Sequence, residues 1–241
     1  MGIMKTVGEP PRYDAGAHVI FGILLQKLKR NKEAEKEFRK AIKIDPNYAK
    51  AHNDLGVLLY LTNRCEGAEK EFRKAIKIDP NYAEAHINFG NLWYFLDQYG
   101  YAEEEYIEAI RINPNDARAY IKLGNMLYLI KHHSDAVKVF RELVRINPNS
   151  AEAHIKLGNV LDDYLESCEE AEEEFRKAIK IDPNNAEAHN NLGVLLFDLK
   201  RYEEAEIEVM EVIRLNPNDA GAINDLRIIL WNSKCYEERN E

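Results

Sequence analysis

The chain has 241 residues, of which 45% are hydrophobic and 31% are charged, and its formal net charge at pH 7 is −9. Because nucleic-acid binders normally carry a basic stripe, this acidic balance predicts no nucleic-acid partner. No apolar run approaches the roughly 18 residues of a membrane span, which predicts no membrane partner, and an odd number of cysteines, three, favours a reducing, cytoplasmic location.

One stretch of sixteen residues occurs three times with few changes. It reads EFRKAIKIDPNYAKAH from Glu37, EFRKAIKIDPNYAEAH from Glu71 and EFRKAIKIDPNNAEAH from Glu174. Prolines and glycines follow a period of 34 residues, with one residue inserted between Gly158 and Pro183. They are Pro46, Pro80, Pro114, Pro148, Pro183 and Pro217, and Gly22, Gly56, Gly90, Gly124, Gly158 and Gly193. A fixed period of this length indicates one small structural unit that is used repeatedly.

In chain order, this period predicts an N-terminal arm, six repeats, a single helix and a tail. The arm covers residues 1–14. The repeats cover residues 15–48, 49–82, 83–116, 117–150, 151–185 and 186–219. The single helix covers residues 220–232, and residues 233–241 are predicted to form a polar tail.

The single helix is predicted to cap the array. Arg227 stands where a seventh glycine is due, as expected for a helix that has no second helix of its own to press against. Its apolar residues are expected to close the sixth repeat, and they are Ile223, Leu226 and Leu230.

Each repeat is predicted to contain two helices that pack through small residues. In residues 49–82, apolar residues recur every three or four positions in two segments, as in a pair of amphipathic helices. Gly56 lies in the first segment, and Ala68 and Phe72 lie in the second. Since glycine inside a helix costs about 1 kcal/mol relative to alanine, its recurrence predicts a close approach of the second helix. The aromatic side chain is expected to fill the remaining volume.

The Asp-Pro-Asn or Asn-Pro-Asn corners are predicted to end each second helix, because proline cannot continue the hydrogen-bond ladder. The asparagine after the proline is a favoured N-cap for the next helix. A glutamate three residues later would complete a capping box. Three pairs have this spacing, namely Asn81 with Glu84, Asn149 with Glu152, and Asn184 with Glu187.

Small glycine and alanine, large leucine and aromatic residues, and proline at these intervals resemble the tetratricopeptide repeat. The resemblance covers residues 15–232. It implies an all-α fold, an α-solenoid wound as a right-handed superhelix of six helix-turn-helix repeats plus a C-terminal capping helix. It also implies a concave groove that is lined by the first helix of each repeat.

The residues predicted to line this groove lie on the side of each first helix away from the glycine stripe. They are Asn53, Tyr60, Asn88, Asn91, Tyr94, Arg118, Lys122, Asn125, Tyr128, Lys156, Asn159 and Asn190. Asn91, Asn125 and Asn159 share one repeat position, where an amide can donate to and accept from an extended peptide backbone. Recurring tyrosines add rigid contact area. The alternative is that these side chains only bond neighbouring helices.

Arg118 and Lys122, one turn apart, partly resemble the carboxylate clamp of tetratricopeptide co-chaperones, together with Asn88 of the preceding repeat. The resemblance implies a site for the C-terminal acid of a partner's tail. The chain departs from that pattern at Asn53 and Val57, where lysine and asparagine are expected. Ordinary surface charge is the alternative.

The two ends of the groove differ from its middle. The far end is acidic, which favours basic segments, and its carboxylates are Asp162, Asp163 and Asp198. The first repeat presents apolar groups where later repeats have amides, and these are Val19, Ile20 and Ile23. An exposed apolar patch needs a cover. Residues 1–13 or a second copy of the protein are the expected covers.

No catalytic or metal chemistry is predicted. Five of the seven histidines share one repeat position facing the second helix, namely His18, His52, His86, His154 and His189. Their expected separation of roughly 8 to 10 Å keeps them from sharing one metal, so they are interpreted as packing. His132 and His133 beside Asp135 are interpreted as a solvated loop. We therefore expect no enzyme, no metal and no cofactor.

The leading hypothesis is a scaffold, or adaptor, that binds an extended peptide or the tail of a protein partner in the groove. The alternative is a self-associating or regulatory subunit, whose groove or first repeat accepts another copy or the arm of an enzyme. A homo-oligomer formed through the first repeat belongs to this second hypothesis.

Overall fold

A computed structural model of the chain describes residues 14–163 and 167–240, with side chains as far as residue 234. This part of the chain contains thirteen α-helices and no strand. The helices are α1 (Ala15–Lys27), α2 (Asn31–Ile44), α3 (Ala49–Leu61), α4 (Cys65–Ile78), α5 (Ala83–Phe95), α6 (Tyr99–Ile112), α7 (Ala117–Leu129), α8 (His133–Ile146), α9 (Ala151–Asp162), α10 (Cys168–Ile181), α11 (Ala186–Asp198), α12 (Tyr202–Leu215) and α13 (Ala220–Asn240). The predicted all-α class is confirmed. Residues 1–13, which hold most of the predicted arm, lie outside the described residues.

The helices form two compact units, the first ending at Lys122 and the second beginning at Leu123. In the first unit α1 packs on α2, α3 on α4 and α5 on α6, and successive pairs meet through α2 with α3 and α4 with α5. In the second unit α9 packs on α10 and α11 packs on α12, and α12 also packs on α13. The predicted α-solenoid of helix pairs followed by a capping helix is therefore confirmed.

In the first five pairs, the glycine of the first helix lies against an aromatic ring of the second helix. A Cβ atom added to Gly56 would lie 2.7 Å from a ring carbon of Phe72, which is closer than real Cβ contacts come. Phe72 and Ala68 are fully buried, so the ring has no open space to move into. Equivalent contacts join Gly22 to Phe38, Gly90 to Tyr106, Gly124 to Phe140 and Gly158 to Phe175. The predicted close approach of the paired helices is confirmed.

The turn inside a helix pair contains a residue with a left-handed backbone conformation. Among the described residues, those with positive φ are Lys29 (59°), Asn63 (59°), Asp97 (57°), Lys131 (62°) and Lys200 (61°). After Lys29, the Arg30 N–H donates to the Leu25 carbonyl at 2.9 Å and thus closes the end of α1. This bond pattern is that of a Schellman motif, in which the left-handed position usually holds glycine.

The caps of the first helices lie one residue later than the capping boxes predict. Ser150 caps α9 and Asn185 caps α11, each accepting from the backbone N–H three residues on. Tyr82 is the N-cap residue of α5 and makes no side-chain cap bond. The predicted capping boxes are therefore wrong. The side chain of Asp79 accepts from the Asn81 N–H at 3.0 Å instead, so the residue before the proline organises this corner.

A histidine near the start of a first helix connects that helix to two other parts of the chain. His52 Nδ1 is 2.6 Å from Glu71 Oε2 on α4, and His52 Nε2 is 3.0 Å from the Pro46 carbonyl oxygen. Carboxylate and carbonyl oxygens accept hydrogen bonds, so each ring nitrogen of His52 faces an acceptor. The same two kinds of acceptor face His86, His154 and His189.

The fourth repeat has a different arrangement at this histidine position. Tyr120 replaces the histidine, and its hydroxyl donates to the Pro114 carbonyl oxygen at 3.1 Å. Val139 occupies the position that holds glutamate in the other repeats. Histidine and glutamate are thus both absent from this one repeat, as expected if each is present because of the other.

Helix α13 is longer than predicted and packs through different residues. It continues as far as Asn240, through most of the segment that was predicted as a polar tail. Ala222 and Ile229 are its buried apolar residues, each 3% exposed, whereas Ile223 and Leu230 are 49% and 46% exposed. The prediction that Ile223 and Leu230 close the sixth repeat is wrong, because the buried residues are Ala222 and Ile229, one position before them. The third predicted residue, Leu226, is half-buried.

Candidate functional site

Three repeat positions, spaced three residues apart, lie along one side of the first helices, and we call this side the first-helix face. In the first unit it consists of Asp54, Val57, Tyr60, Asn88, Asn91, Tyr94 and Lys122. In the second unit it consists of Asn125, Tyr128, Lys156, Asn159, Asp162, Asn191, Val194, Phe197, Asp225, Ile228 and Trp231. All of these residues except Asp54 keep part of their surface exposed.

In the first unit, amide side chains form a short series of hydrogen bonds. Asn88 Nδ2 donates to Asn53 Oδ1 at 3.0 Å, and Asn53 Nδ2 donates to Asp54 Oδ1 at 3.0 Å. Burial raises the pKa of the Asp54 carboxyl, although Lys50, whose Nζ lies 3.5 Å from Asp54 Oδ2, opposes the shift. This network joins α3 to α5 and gives Lys50, at the start of α3, a nearby carboxylate.

Asn53 does not line the first-helix face, contrary to the prediction. It is fully buried and both ends of its amide are bonded within the chain. The same repeat position holds Ile87 and Ile155, which are buried, and Asn190, which is half-buried. This position lies one residue before that of Asn88, so it packs against neighbouring helices. Asn190 therefore belongs with the packing residues.

Asn91 and the tyrosines of the first unit lie at the edge of the core. The Tyr106 hydroxyl donates to Asn91 Oδ1 at 3.0 Å, and Asn91 is half-buried. Tyr94 is 39% exposed. Tyr60 is half-buried, with its ring 5.4 Å from that of Phe95 in an edge contact. These side chains are held in place by neighbours and still reach the surface.

Arg118 is engaged by a carboxylate of its own chain. Its Nε lies 3.0 Å from Asp116 Oδ1 and its Nη2 lies 2.7 Å from Asp116 Oδ2. The hydrogen bonds from Arg118 hold the pKa of the Asp116 carboxyl below its usual range. Lys122 is exposed. An incoming carboxylate would have to compete with Asp116, and this favours ordinary surface charge over the carboxylate clamp.

In the second unit, Asn125 is the most accessible of the three recurring asparagines. It is exposed, and its side-chain amide makes no hydrogen bond within the described residues. One turn on, Tyr128 is 37% exposed. Its hydrogen bond to Asp163 raises the pKa of the phenol. An unbonded amide thus lies beside an exposed aromatic ring on the same helix.

Asn159 takes part in an amide pair like that of the first unit. Asn191 Nδ2 donates to Asn159 Oδ1 at 2.7 Å. Lys156, one turn before Asn159, is half-buried. Sequence reasoning missed Asn191 and named Asn190 instead. The sequence contains the information needed to choose Asn191. Because of the inserted residue, the residue equivalent to Lys156 lies 35 positions later rather than 34.

The first helix of the chain has an exposed apolar face. Ile20, Phe21 and Leu24 are 62%, 51% and 52% exposed and line a cavity of about 470 Å³. In α3, the equivalents of Phe21 and Leu24 are buried in the core. The α1 face is exposed because no described pair precedes it. Val19 is buried, so the prediction that it lines the groove is wrong.

Within residues 14–163 and 167–240, no group of three or more His, Cys, Asp or Glu side chains could hold a metal ion. None of the described helices combines the length and the apolar character needed to cross a membrane.

The chain matches several sequence profiles described as TPR repeat or tetratricopeptide repeat. The matches cover residues 24–63 and 165–200, 186–219, 89–151 and 49–82. A search of curated protein sequences finds no match.

Solved structures with a similar fold include those of pilF, YrrB and MamA. The pilF protein of Pseudomonas aeruginosa has a TM-score of 0.70 and 22% identity, covering 90% of this chain and 96% of that one. YrrB, described as a TPR protein with an unusual peptide-binding site, has a TM-score of 0.62 and 25% identity, covering 78% and 96%. MamA of Desulfovibrio magneticus RS-1 has a TM-score of 0.62 and 22% identity, covering 72% and 97%. Together with the glycine-aromatic contacts that recur in five of the helix pairs, the profile matches show that the chain belongs to the tetratricopeptide repeat family.

Proposed function

We propose that the chain is a protein-interaction scaffold that binds an extended peptide, or the tail of a partner protein, along the first-helix face. The observation that carries this proposal is the exposed, unbonded amide of Asn125. An exposed amide without hydrogen-bond partners in the fold does not join neighbouring helices. Asn125 has none among the described residues, and its amide remains available to the backbone of a ligand.

The neighbouring asparagine positions support the same function. Asn91 and Asn159 each accept one hydrogen bond at Oδ1 from their own unit. Each keeps an NH₂ group with two donors, and each is only half-buried. A bonded Oδ1 fixes the orientation of the amide, so less side-chain entropy is lost when a peptide carbonyl is bound.

The exposed tyrosines supply contact area beside these amides. Tyr94 and Tyr128 are more than a third exposed. Tyrosine provides a large amphipathic surface and loses little conformational entropy on binding. YrrB, which is 25% identical to this chain, is described as having a peptide-binding site, and that description agrees with a peptide ligand for the present chain.

The test is a selection of random 12-residue peptides, displayed on phage, against the immobilised full chain. The affinity of each selected peptide is then measured by fluorescence anisotropy. Asn125→Ala is expected to weaken binding by about three- to tenfold, because one hydrogen bond contributes about 0.5 to 1.5 kcal/mol. Asn149→Ala, at an exposed corner, is the matched control and should leave affinity unchanged. Failure to select any peptide, or equal affinities for the two variants, would contradict the proposal.

Self-association is the second candidate function, and the exposed apolar face of α1 favours it. Ile20, Phe21 and Leu24 expose large side chains next to one cavity, and such patches commonly mark interaction surfaces. A second copy packed there should make the sedimentation coefficient rise with protein concentration. Leu24→Ser should then abolish the rise. A coefficient independent of concentration would leave the peptide-binding scaffold as the function.

A further inference from the structure

The sixth helix pair lacks the aromatic ring that fills the other five. At the position of Phe38, Phe72, Tyr106, Phe140 and Phe175, helix α12 has Val209. The nearest Val209 atom would lie 3.0 Å from a Cβ added to Gly193, whereas the rings of the other five pairs come within 2.7 Å of the corresponding Cβ. The glycine leaves room for a ring here as it does elsewhere, but no ring is present.

The missing volume is found as an open cavity of about 260 Å³ between α11, α12 and α13. Gly193 and Val209 line it, and the side chains of Val194, Phe197 and Ile228 complete an apolar wall. One water molecule occupies about 30 Å³ of liquid, so the space is several times larger than a single water needs. Its apolar lining offers water few hydrogen-bond partners, and it suits a large apolar side chain.

The cavity opens onto the carboxyl-terminal end of the first-helix face. Val194 is 42% exposed and Ile228 is 40% exposed. One turn beyond Ile228, Trp231 is 72% exposed and shares the repeat position of Tyr128 and Phe197. Helix α13 therefore continues the face that the first helices of the repeats provide, and a chain lying along that face would pass over the cavity.

Carboxylates surround the opening. Asp198 and Asp225 line the cavity, and neither has an ion-pair partner among the described residues. Asp162, on α9, is half-buried, and its pKa is raised by burial and by the negative charges of Asp198 and Asp163. Asp198 and Asp163 thus repel Asp162, and a cationic side chain placed among these carboxylates would relieve that repulsion.

We infer that this cavity is the subsite for a peptide segment that inserts one large apolar or aromatic side chain and places lysine or arginine beside it. The inference rests on the proposed peptide-binding function and specifies its ligand class. The inserted side chain replaces the ring that α12 lacks. The adjacent cation meets Asp198 and Asp225, which are uncompensated within the described part of the chain.

Filling the cavity from inside tests the apolar half of the inference. Val209→Phe restores the side chain that the other repeats carry, so the fold is expected to accept it, and circular dichroism checks this. The phage selection is repeated with the wild-type chain and with this variant. Peptides with an aromatic or large aliphatic residue next to Lys or Arg should be enriched on the wild-type chain. Their affinity for the variant should fall at least about tenfold, as for the loss of an anchor side chain.

Neutralising the carboxylates tests the basic half without changing the cavity. The double variant Asp198→Asn with Asp225→Asn should weaken the same peptides by about three- to tenfold at low salt, and the difference should shrink at high salt. Glu203→Gln with Glu206→Gln on α12 makes the same change in net charge away from the cavity lining and is the matched control. Equal effects of the two double variants would overturn the inference.

The outcomes separate this inference from the proposed function. If peptides are selected without the apolar-basic pattern, and Asn125→Ala weakens them while Val209→Phe does not, the subsite is wrong and the peptide-binding function is retained. If no peptide is selected on any variant, both are wrong. If Val209→Phe instead abolishes self-association in sedimentation, the occupant is a second copy and the peptide subsite is overturned.

Discussion

At the scale of single residues, the histidine position couples the fold to pH. Burial alone would lower the pKa of His86, but the hydrogen bond to Glu105, the charges of Glu105 and Glu108, and the Pro80 carbonyl outweigh it, so that the pKa is raised above 6.5. Burial likewise acts to raise the pKa of Glu71, and the bonds from His52 and Lys74 outweigh it, so that this pKa is lowered below 4.5.

These directions predict stability that declines in alkaline solution. A group whose pKa is raised on folding contributes stability that is fully present below its unfolded pKa and is lost as pH rises through the folded value. The His86 contribution is therefore present below about pH 6.5 and lost above it. The contribution of Glu71 is present above about pH 4.5 and is lost as pH falls through its lowered pKa. The free energy of unfolding in urea should be larger at pH 6 than at pH 9.

Two variants identify the group responsible. His86→Gln should reduce the difference between pH 6 and pH 9, because glutamine does not titrate. His132→Gln, at an exposed position, changes the same residue type without touching this network and should leave the difference unchanged. A wild-type stability that is equal at the two pH values would refute the linkage.

The glycine-aromatic contact gives a second prediction at the residue scale. Gly56→Ala should destabilise the chain by about 1 to 3 kcal/mol, as overpacking usually does, because its Cβ would lie 2.7 Å from the buried Phe72 ring. The better helix propensity of alanine, about 1 kcal/mol, is too small to outweigh the clash. Gly100→Ala in α6 is the control, since nothing lies within 4 Å of its Cβ. It should stabilise the chain by about 0.5 to 1 kcal/mol. Urea unfolding measures both.

At the scale of helices, the turns inside the pairs carry local strain. A left-handed conformation costs a non-glycine residue about 1 to 2 kcal/mol, and Lys131 has φ of 62°. Lys131→Gly should stabilise the chain by about 0.5 to 1 kcal/mol, because part of that relief is lost to the greater entropy of glycine in the unfolded state. Lys138→Gly, inside α8, should destabilise it by about 1 kcal/mol. Thermal unfolding distinguishes the two, and equal destabilisation would contradict the strain argument.

The helix pairs could be predicted from sequence because their contacts repeat with the period of the chain. Glycine, alanine and aromatic positions recur together, and Gly56 with Phe72 specifies the close packing of a pair without knowledge of any distant contact. Cap positions could not be predicted so well. Asn184 and Asn185 are both favoured N-cap residues, and only the backbone conformation decides that Asn185 is the N-cap of α11.

At the scale of the whole molecule, the candidate site was predicted less completely than the fold. Asn125 shares its repeat position with Asn91 and Asn159, but whether its amide is bonded or unbonded depends on neighbours that one sequence does not reveal. Spacing on the helix predicts Asn53 for the groove, although Ile87 and Ile155 at the same repeat position indicate packing. The cavity beside Val209 could not be predicted, because it depends on where α13 lies.

Helix α13 ends the described array, and its removal should show how much the last pair depends on it. Ala222 and Ile229 bury their side chains almost completely, and a fully buried isoleucine contributes about 1.5 to 3 kcal/mol. Deleting residues 220–241 should lower the free energy of unfolding by at least about 2 kcal/mol and promote association, because α12 loses its cover. Deleting only residues 235–241 keeps Ala222 and Ile229 and should have little effect. Urea unfolding and sedimentation of both truncations make the comparison. If the longer truncation were as stable and as monomeric as the shorter one, α13 would not be a cap. In that case the fold would not depend on the wall that α13 contributes to the cavity beside α11 and α12.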